Sequence, residues 1–151
     1  MMSNRIKLAI EAGAVFGLIA GAIGLVGQLA SAVPALGALV LPAWLASAVG
    51  IILGLGAGAL AMLWGKGYVR TLVNSVVQGG VAGLANALVT LALTAIGVAA
   101  AASISGKADA VSAVAAWASA GLAGIETAAL FAVILGMVGA IACAPFIVRI
   151  R

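Results

Sequence analysis

One carboxylate stands alone in an apolar run. In GLAGIETAALFAVILGMVGAIACAPFIV, residues 121–148, Glu126 is the only charge. An ionisable group deep in a bilayer is costly to keep there, so it marks an ion path, a proton relay or a ligand contact. The same residue at the membrane edge is hydrated and marks only where a span ends. Asn86, near the middle of another apolar run, is the second polar candidate. Its carboxamide can hydrogen-bond across helices, for about 0.6–2 kcal/mol, or line a polar path. The structural role is the expected one, with Glu126 and Asn86 kept as candidate ion-binding residues. Gln78, Asn74, Gln28 and Thr90 lie nearer the ends of their runs.

Other chemistries have no residues to carry them. The chain contains no His, so imidazole ligation and imidazole acid–base catalysis are excluded. Its one cysteine, Cys143, allows no intramolecular disulfide and no paired-cysteine motif, and reads as a small buried hydrophobe. No nucleophile–base pair, metal-ligand cluster or phosphate-binding loop is visible. Neither enzymatic activity nor a cofactor is expected.

The elements that position these residues follow from composition. The chain is 66% hydrophobic and 7% charged, with a mean hydropathy of +1.38. A soluble domain carries about 25% charged residues, and too few are present here to cover a water-facing surface. The composition is that of an integral membrane protein. A net charge of +4 can point to nucleic acid, but the basic residues sit at the ends of apolar runs rather than on one surface.

Those runs cover 12–65, 71–106 and 127–148. A hydrocarbon core about 30 Å thick takes about 20 helical residues. The first run therefore holds two spans, broken around Pro34 and Pro42, and each of the others holds one. The spacing predicts a single all-α domain over 1–151, a four-helix membrane bundle with spans at 9–32, 43–64, 76–101 and 124–148. Uninterrupted runs this long fit helices rather than barrel strands, because lipid leaves the backbone to satisfy its own hydrogen bonds.

Charge then sets orientation. Arg5, Lys7, Lys66, Arg70, Arg149 and Arg151 fall on one side of the alternating spans. The other side holds Lys107, offset by Asp109. The positive-inside bias puts both termini in the cytoplasm. The basic start and the ASA at 30–32 resemble a signal peptide, but the apolar stretch is long for one and reads as a retained first span. The expected location is a multi-pass position in a prokaryotic plasma membrane.

Small residues recur every fourth position: Gly13, Gly17 and Gly21; Gly50, Gly54 and Gly58; Gly79, Gly83 and Ala87; Ala132, Gly136 and Ala140. Each set lines one helix face. In lipid, helices associate largely through close van der Waals approach along such faces. They either hold the four helices together or face other copies and other subunits. Two echoes, GAVFGL at 13–18 with GGVAGL at 79–84, and WLASA at 44–48 with WASA at 117–120, hint at a duplicated hairpin.

Two stretches resemble known families. IETAALFAVIL, from 125, resembles the carboxylate-bearing outer helix of rotary-ATPase proteolipids: a glutamate, small residues, an aromatic and a β-branched run. The resemblance implies that Glu126 carries a proton or sodium ion, with SGKAD at 105–109 as the polar hairpin loop. GLGAGALAMLWGKGYVRTLVNSVVQGG, residues 54–80, is similar to the helix–basic loop–helix hairpin of conjugation pilins, which implies a filament subunit.

A count weighs on the first resemblance. About 20 residues back from Arg149 reach Ala129, which leaves Glu126 at the outer interface. Residues 109–124 then read as a separate interfacial helix, started by Asp109 and anchored by Trp117. The expected function is a non-enzymatic subunit packed through glycine and alanine faces into a homo-oligomeric or multi-subunit membrane assembly. The alternatives are a small ion or proton channel, transporter or proteolipid-like subunit using Glu126, and a pilin-like filament subunit. The expected partners are the lipid bilayer and further copies or other membrane subunits, with no nucleic acid.

Overall fold

The computed structural model describes residues 4–66, 71–106 and 109–147. These residues form helices α1 (Asn4–Ala30), α2 (Ala43–Gly65), α3 (Leu72–Ser105) and α4 (Ala110–Ile147), with a short 3₁₀ turn at Pro34–Leu39 between the first two. No strand occurs among the described residues. Each helix contains a stretch long and apolar enough to cross a membrane: Asn4–Ala30, Ala43–Gly65, Leu72–Ser105 and Gly124–Phe146. Arg70, Lys107, Arg149 and Arg151 lie outside the described residues.

Local chemistry sets the ends. Pro34 opens the 3₁₀ turn and Pro42 immediately precedes α2, where a residue without an N–H costs the helix no bond. Thr71 caps α3, its hydroxyl accepting from the Asn74 N–H at 3.2 Å. Gly106, at φ 62°, stops the same helix in a left-handed turn, and its N–H bonds the Ala102 carbonyl. Asp109 caps α4, its Oδ1 accepting from the Ser112 N–H at 2.9 Å.

That cap and the alanine-rich run behind it correct one expectation. Residues 110–124 are not a helix separate from the last span. They form the first turns of a continuous α4 of 38 residues, about 57 Å long. Alanine at so many of these positions sustains the helix, and Gly121 and Gly124 cost too little to break it. Ala110, Ala113, Val114, Trp117, Ala118 and Gly121 are all half-buried, so this segment has a sheltered face. Helix α3 is likewise long, at 34 residues, and the α3–α4 hairpin overreaches the shorter α1–α2 pair.

The packing inverts that of a soluble protein. The buried apolar residues are alanines and Met62, whereas Trp44, Ile52, Val73, Leu130 and Phe146 are exposed. Small side chains let backbones approach, and large apolar ones face outward, where lipid is as good a solvent as a protein core. In water such a surface would aggregate.

Contacts fix the arrangement. Helix α3 packs most extensively against α1 and α4, and α2 packs against α1, α4 and α3. Gly13 meets Ala82 while Gly97 meets Leu25, so α1 and α3 run parallel. Gly54 meets Leu135 and Gly58 meets Ala140, so α2 and α4 also run parallel. Gly79 meets Ala140 and Gly83 meets Ala132, so α3 and α4 are antiparallel.

Candidate functional site

Eight of the nine glycines singled out by their spacing are engaged within the chain. A side chain at Gly13 would strike the Ala82 backbone. One at Gly17 would lie 2.8 Å from the Asn86 carbonyl oxygen, and one at Gly21 2.6 Å from Leu93 Cδ1. Gly58 and Gly79 both abut the Gly136 backbone, and Gly83 abuts that of Ala132. Gly136 packs against Gly83, where a Cβ would meet Cα at 3.0 Å. Gly54 faces Leu135, again at 3.0 Å. Gly50 alone of this set has nothing within 4 Å.

Gly50 is free because the seam between α2 and α4 opens there. From Gly54 to Gly58 the two helices touch, and Leu55 seals the seam against Gly139. One turn further out, a cavity of about 780 Å³ separates them. Its α2 wall is Ser47, Gly50 and Ile51, and its α4 wall includes Gly124, Ala128 and Phe131. Helix α3 contributes Asn86, Ala87, Thr90 and Leu91, and α1 contributes Ala20. The volume lies within the range of about 300–1,000 Å³ that holds small molecules in proteins.

The walls are mostly apolar, and Asn86, Thr90, Ser47 and Thr127 are the polar side chains among the described lining residues. Asn86 is 6% exposed, and its Oδ1 is buried without a hydrogen-bond partner. A lone buried acceptor costs about 1–3 kcal/mol, and lipid supplies no water to relieve it. Thr90 Oγ1 donates to the Asn86 carbonyl at 2.8 Å and reaches the Gly17 carbonyl at 3.4 Å, tying α3 to α1. Ser47 Oγ donates to the Ala43 carbonyl at 2.9 Å. Both hydroxyl protons are therefore engaged on the backbone of their own helices. Thr127 adds a further hydroxyl from α4.

Glu126 is elsewhere. It is exposed and is not among the lining residues, although its neighbour Thr127 is. It lies in the first turn of the membrane-long stretch Gly124–Phe146, while the helix itself continues outward to Ala110. Extending the α3–α4 register outward from Gly83 and Ala132 brings Glu126 level with Val89, about 9 Å beyond that contact. The two candidate ion-binding residues, Asn86 and Glu126, therefore do not share one pocket.

Two other polar side chains act as fasteners. Gln78 Nε2 donates to the Ala61 carbonyl at 2.8 Å, joining α3 to α2 across the gap that Gly65 leaves. Arg5 Nη1 donates to Asn74 Oδ1 at 2.6 Å, joining α1 to α3 near the N-terminal end. Lys7 and Glu11 form an exposed ion pair at 3.9 Å along α1.

Sequence spacing grouped Gly50 with the packing glycines and could not show that it faces a cavity. Ser47 and Thr127 gave no signal at all, because each is one hydroxyl in a long apolar run. Asn86 was legible from its type and depth alone. The chain matches no protein-family model, no curated protein and no solved structure.

Proposed function

We propose that this chain is a non-enzymatic, multi-pass membrane protein that binds a small solute between its four helices and serves its passage across, or its capture within, the bilayer. One observation carries the reading: an open chamber of about 780 Å³ is walled by residues of all four helices, the largely buried Asn86 among them. A helix bundle whose only task is packing closes such a space, because every void forfeits dispersion contacts.

Assembly into a larger complex was the expected role, and its main support was the set of glycine faces. Those faces have partners inside the chain, with Gly50 alone turned to the chamber. The transport alternative is favoured by Asn86 rather than by Glu126, whose side chain is exposed outside the chamber. The finer placement, a four-helix bundle in a prokaryotic plasma membrane with both termini cytoplasmic, rests on the basic residues gathered at one side of the spans.

Thiol labelling tests the chamber. Cysteines are placed singly at Gly50, Gly54 and Val138 in a Cys143→Ser background, in proteoliposomes. The position-50 thiol is expected to react with N-ethylmaleimide faster than those packed against Leu135 or exposed on the outer surface. Equal, negligible reaction at all three positions would refute an accessible chamber.

A further inference from the structure

We infer that the outward face of α4 at Glu126 is a docking surface for a transmembrane helix of another protein, one that brings a basic side chain to the middle of the bilayer. The inference is independent of the chamber, which Glu126 does not line.

Depth is the first observation. Gly83 packs on Ala132 and Gly79 on Gly136, and that antiparallel register sets Glu126 opposite Val89. A side chain at Gly17 would meet Val89, so α1 passes the same level at Gly17. Val89 is central in α3, about 25 Å from either end. The Lys7–Glu11 ion pair lies six to ten residues before Gly17, about 9–15 Å toward the N-terminal end. A hydrocarbon core about 30 Å thick that begins at this pair has Glu126 near its middle. Counting back from Arg149 gives the outer interface instead, because α4 runs on past the inner ends of α1 and α3. In the same register Asn74, which accepts from Arg5, stands opposite Ile141, and α4 continues to Ile147.

Direction is the second. Glu126 is exposed, and the exposed Leu130, Ile134 and Val138 follow it at four-residue steps along one helix face. The contacts of α4 with α2 and α3 run through Leu135, Gly136 and Ala140 instead. Ionisable side chains at membrane depth face the bundle interior or a water-filled cavity and pair with one another or with backbone carbonyls. Glu126 lies outside the chamber, and the ion pair among the described residues joins Lys7 to Glu11. Its partner must then come from outside the chain.

Charge complementarity names the occupant. No lysine or arginine falls within residues 12–65, 71–106 or 127–148. A second copy therefore brings no cation to this depth, and a two-fold pairing at this face would set two carboxylates together. A foreign helix with a guanidinium or ammonium at its centre pairs with the carboxylate, and its own apolar residues cover Leu130, Ile134 and Val138.

Three leucine–alanine transmembrane peptides test this: one with a central Arg, one with a central Leu, and one with its Arg two turns from the centre. Each peptide carries an acceptor dye. The full chain carries the donor dye on Ser3→Cys in a Cys143→Ser background, in phosphatidylcholine vesicles, and energy transfer measures association. The central-Arg peptide is expected to bind the wild-type face about tenfold more tightly than the central-Leu peptide, the effect of one hydrogen bond to a charged group. The displaced-Arg peptide should bind more weakly than the central one. Glu126→Gln should bring the central-Arg and central-Leu peptides within about twofold of each other. Glu126→Asp should keep the preference, and Glu11→Gln should leave it unchanged.

Equal association of the central-Arg and central-Leu peptides with the wild-type face overturns the docking surface, as does a preference that survives Glu126→Gln. Self-association of the full chain in peptide-free vesicles, lost in Glu126→Gln, would make a second copy the occupant and overturn the foreign helix.

Discussion

Alanine placed at Gly58 and at Gly50 should change stability in opposite directions. Both lie on α2, two turns apart, and both read as members of one packing stripe. At Gly58 a Cβ would overlap the Gly136 carbonyl oxygen, come within 2.7 Å of its carbon and 3.0 Å of the Ala140 nitrogen. All three atoms are backbone, so no rotamer relieves the clash and α2 must move away from α4 by about 1 Å. A gap of about 0.5–1 Å already forfeits a quarter to a half of each dispersion well. The contact is shared, because Gly79 of α3 abuts the same Gly136 carbonyl. Overpacking of this kind costs about 1–3 kcal/mol. Against it stands the intrinsic gain of alanine over glycine in a helix, about 0.5–1 kcal/mol. The net expectation for Gly58→Ala is a loss of about 1–2 kcal/mol. At Gly50 the new methyl meets nothing within 4 Å, so only the helix gain remains. Gly50→Ala is expected to stabilise by about 0.5–1 kcal/mol. Reversible unfolding in mixed micelles of a mild detergent and dodecyl sulfate measures both. A Gly58→Ala protein as stable as wild type, or a Gly50→Ala protein that is less stable, would refute the assignment of the seam as closed at one glycine and open at the other.

Three further outcomes are expected. Cysteines at Ser3 and at Lys107, in a Cys143-free background, should be labelled by an impermeant reagent from opposite faces of the membrane; labelling from one face contradicts the alternation of spans. Glu126→Gln should leave unfolding and the thiol reactivity at position 50 unchanged, because the side chain is exposed and outside the chamber; a change in either would show that the carboxylate acts there after all. Asp109 is held below its ordinary carboxyl range, chiefly by the Ser112 hydroxyl and then by the Ser112 N–H, both donating to the ionised form. Its cap is therefore in place above the unfolded value near 3.8 and is lost as pH falls through the lower folded value. Amide exchange at the first turn of α4 should speed up only below about pH 4, and Asp109→Ala should bring that fast exchange to neutral pH.

The sequence by itself determined that the chain is helical, with four stretches apolar enough to cross a membrane, and that the first long run breaks around Pro34 and Pro42. Those properties follow from local composition. Long apolar runs must be helical in lipid, and Pro34, Pro42, Thr71, Gly106 and Asp109 act on the turns beside them. The continuity of α4 through Gly121 and Gly124 was less legible, because a charge at Glu126 reads as a boundary while the helix responds only to backbone cost. Which glycines touch a neighbour, and which neighbour, was decided by the tertiary structure. A four-residue spacing defines a face, but every face of a helix in this chain carries small residues, and nothing in the spacing says which one meets α3, α4 or open space. Gly50 and Gly54 are equivalent in sequence and opposite in the fold, because α2 and α4 diverge between them. Asn86 showed the same limit: its type announced a buried polar group, and only the convergence of four helices placed it in the wall of a chamber.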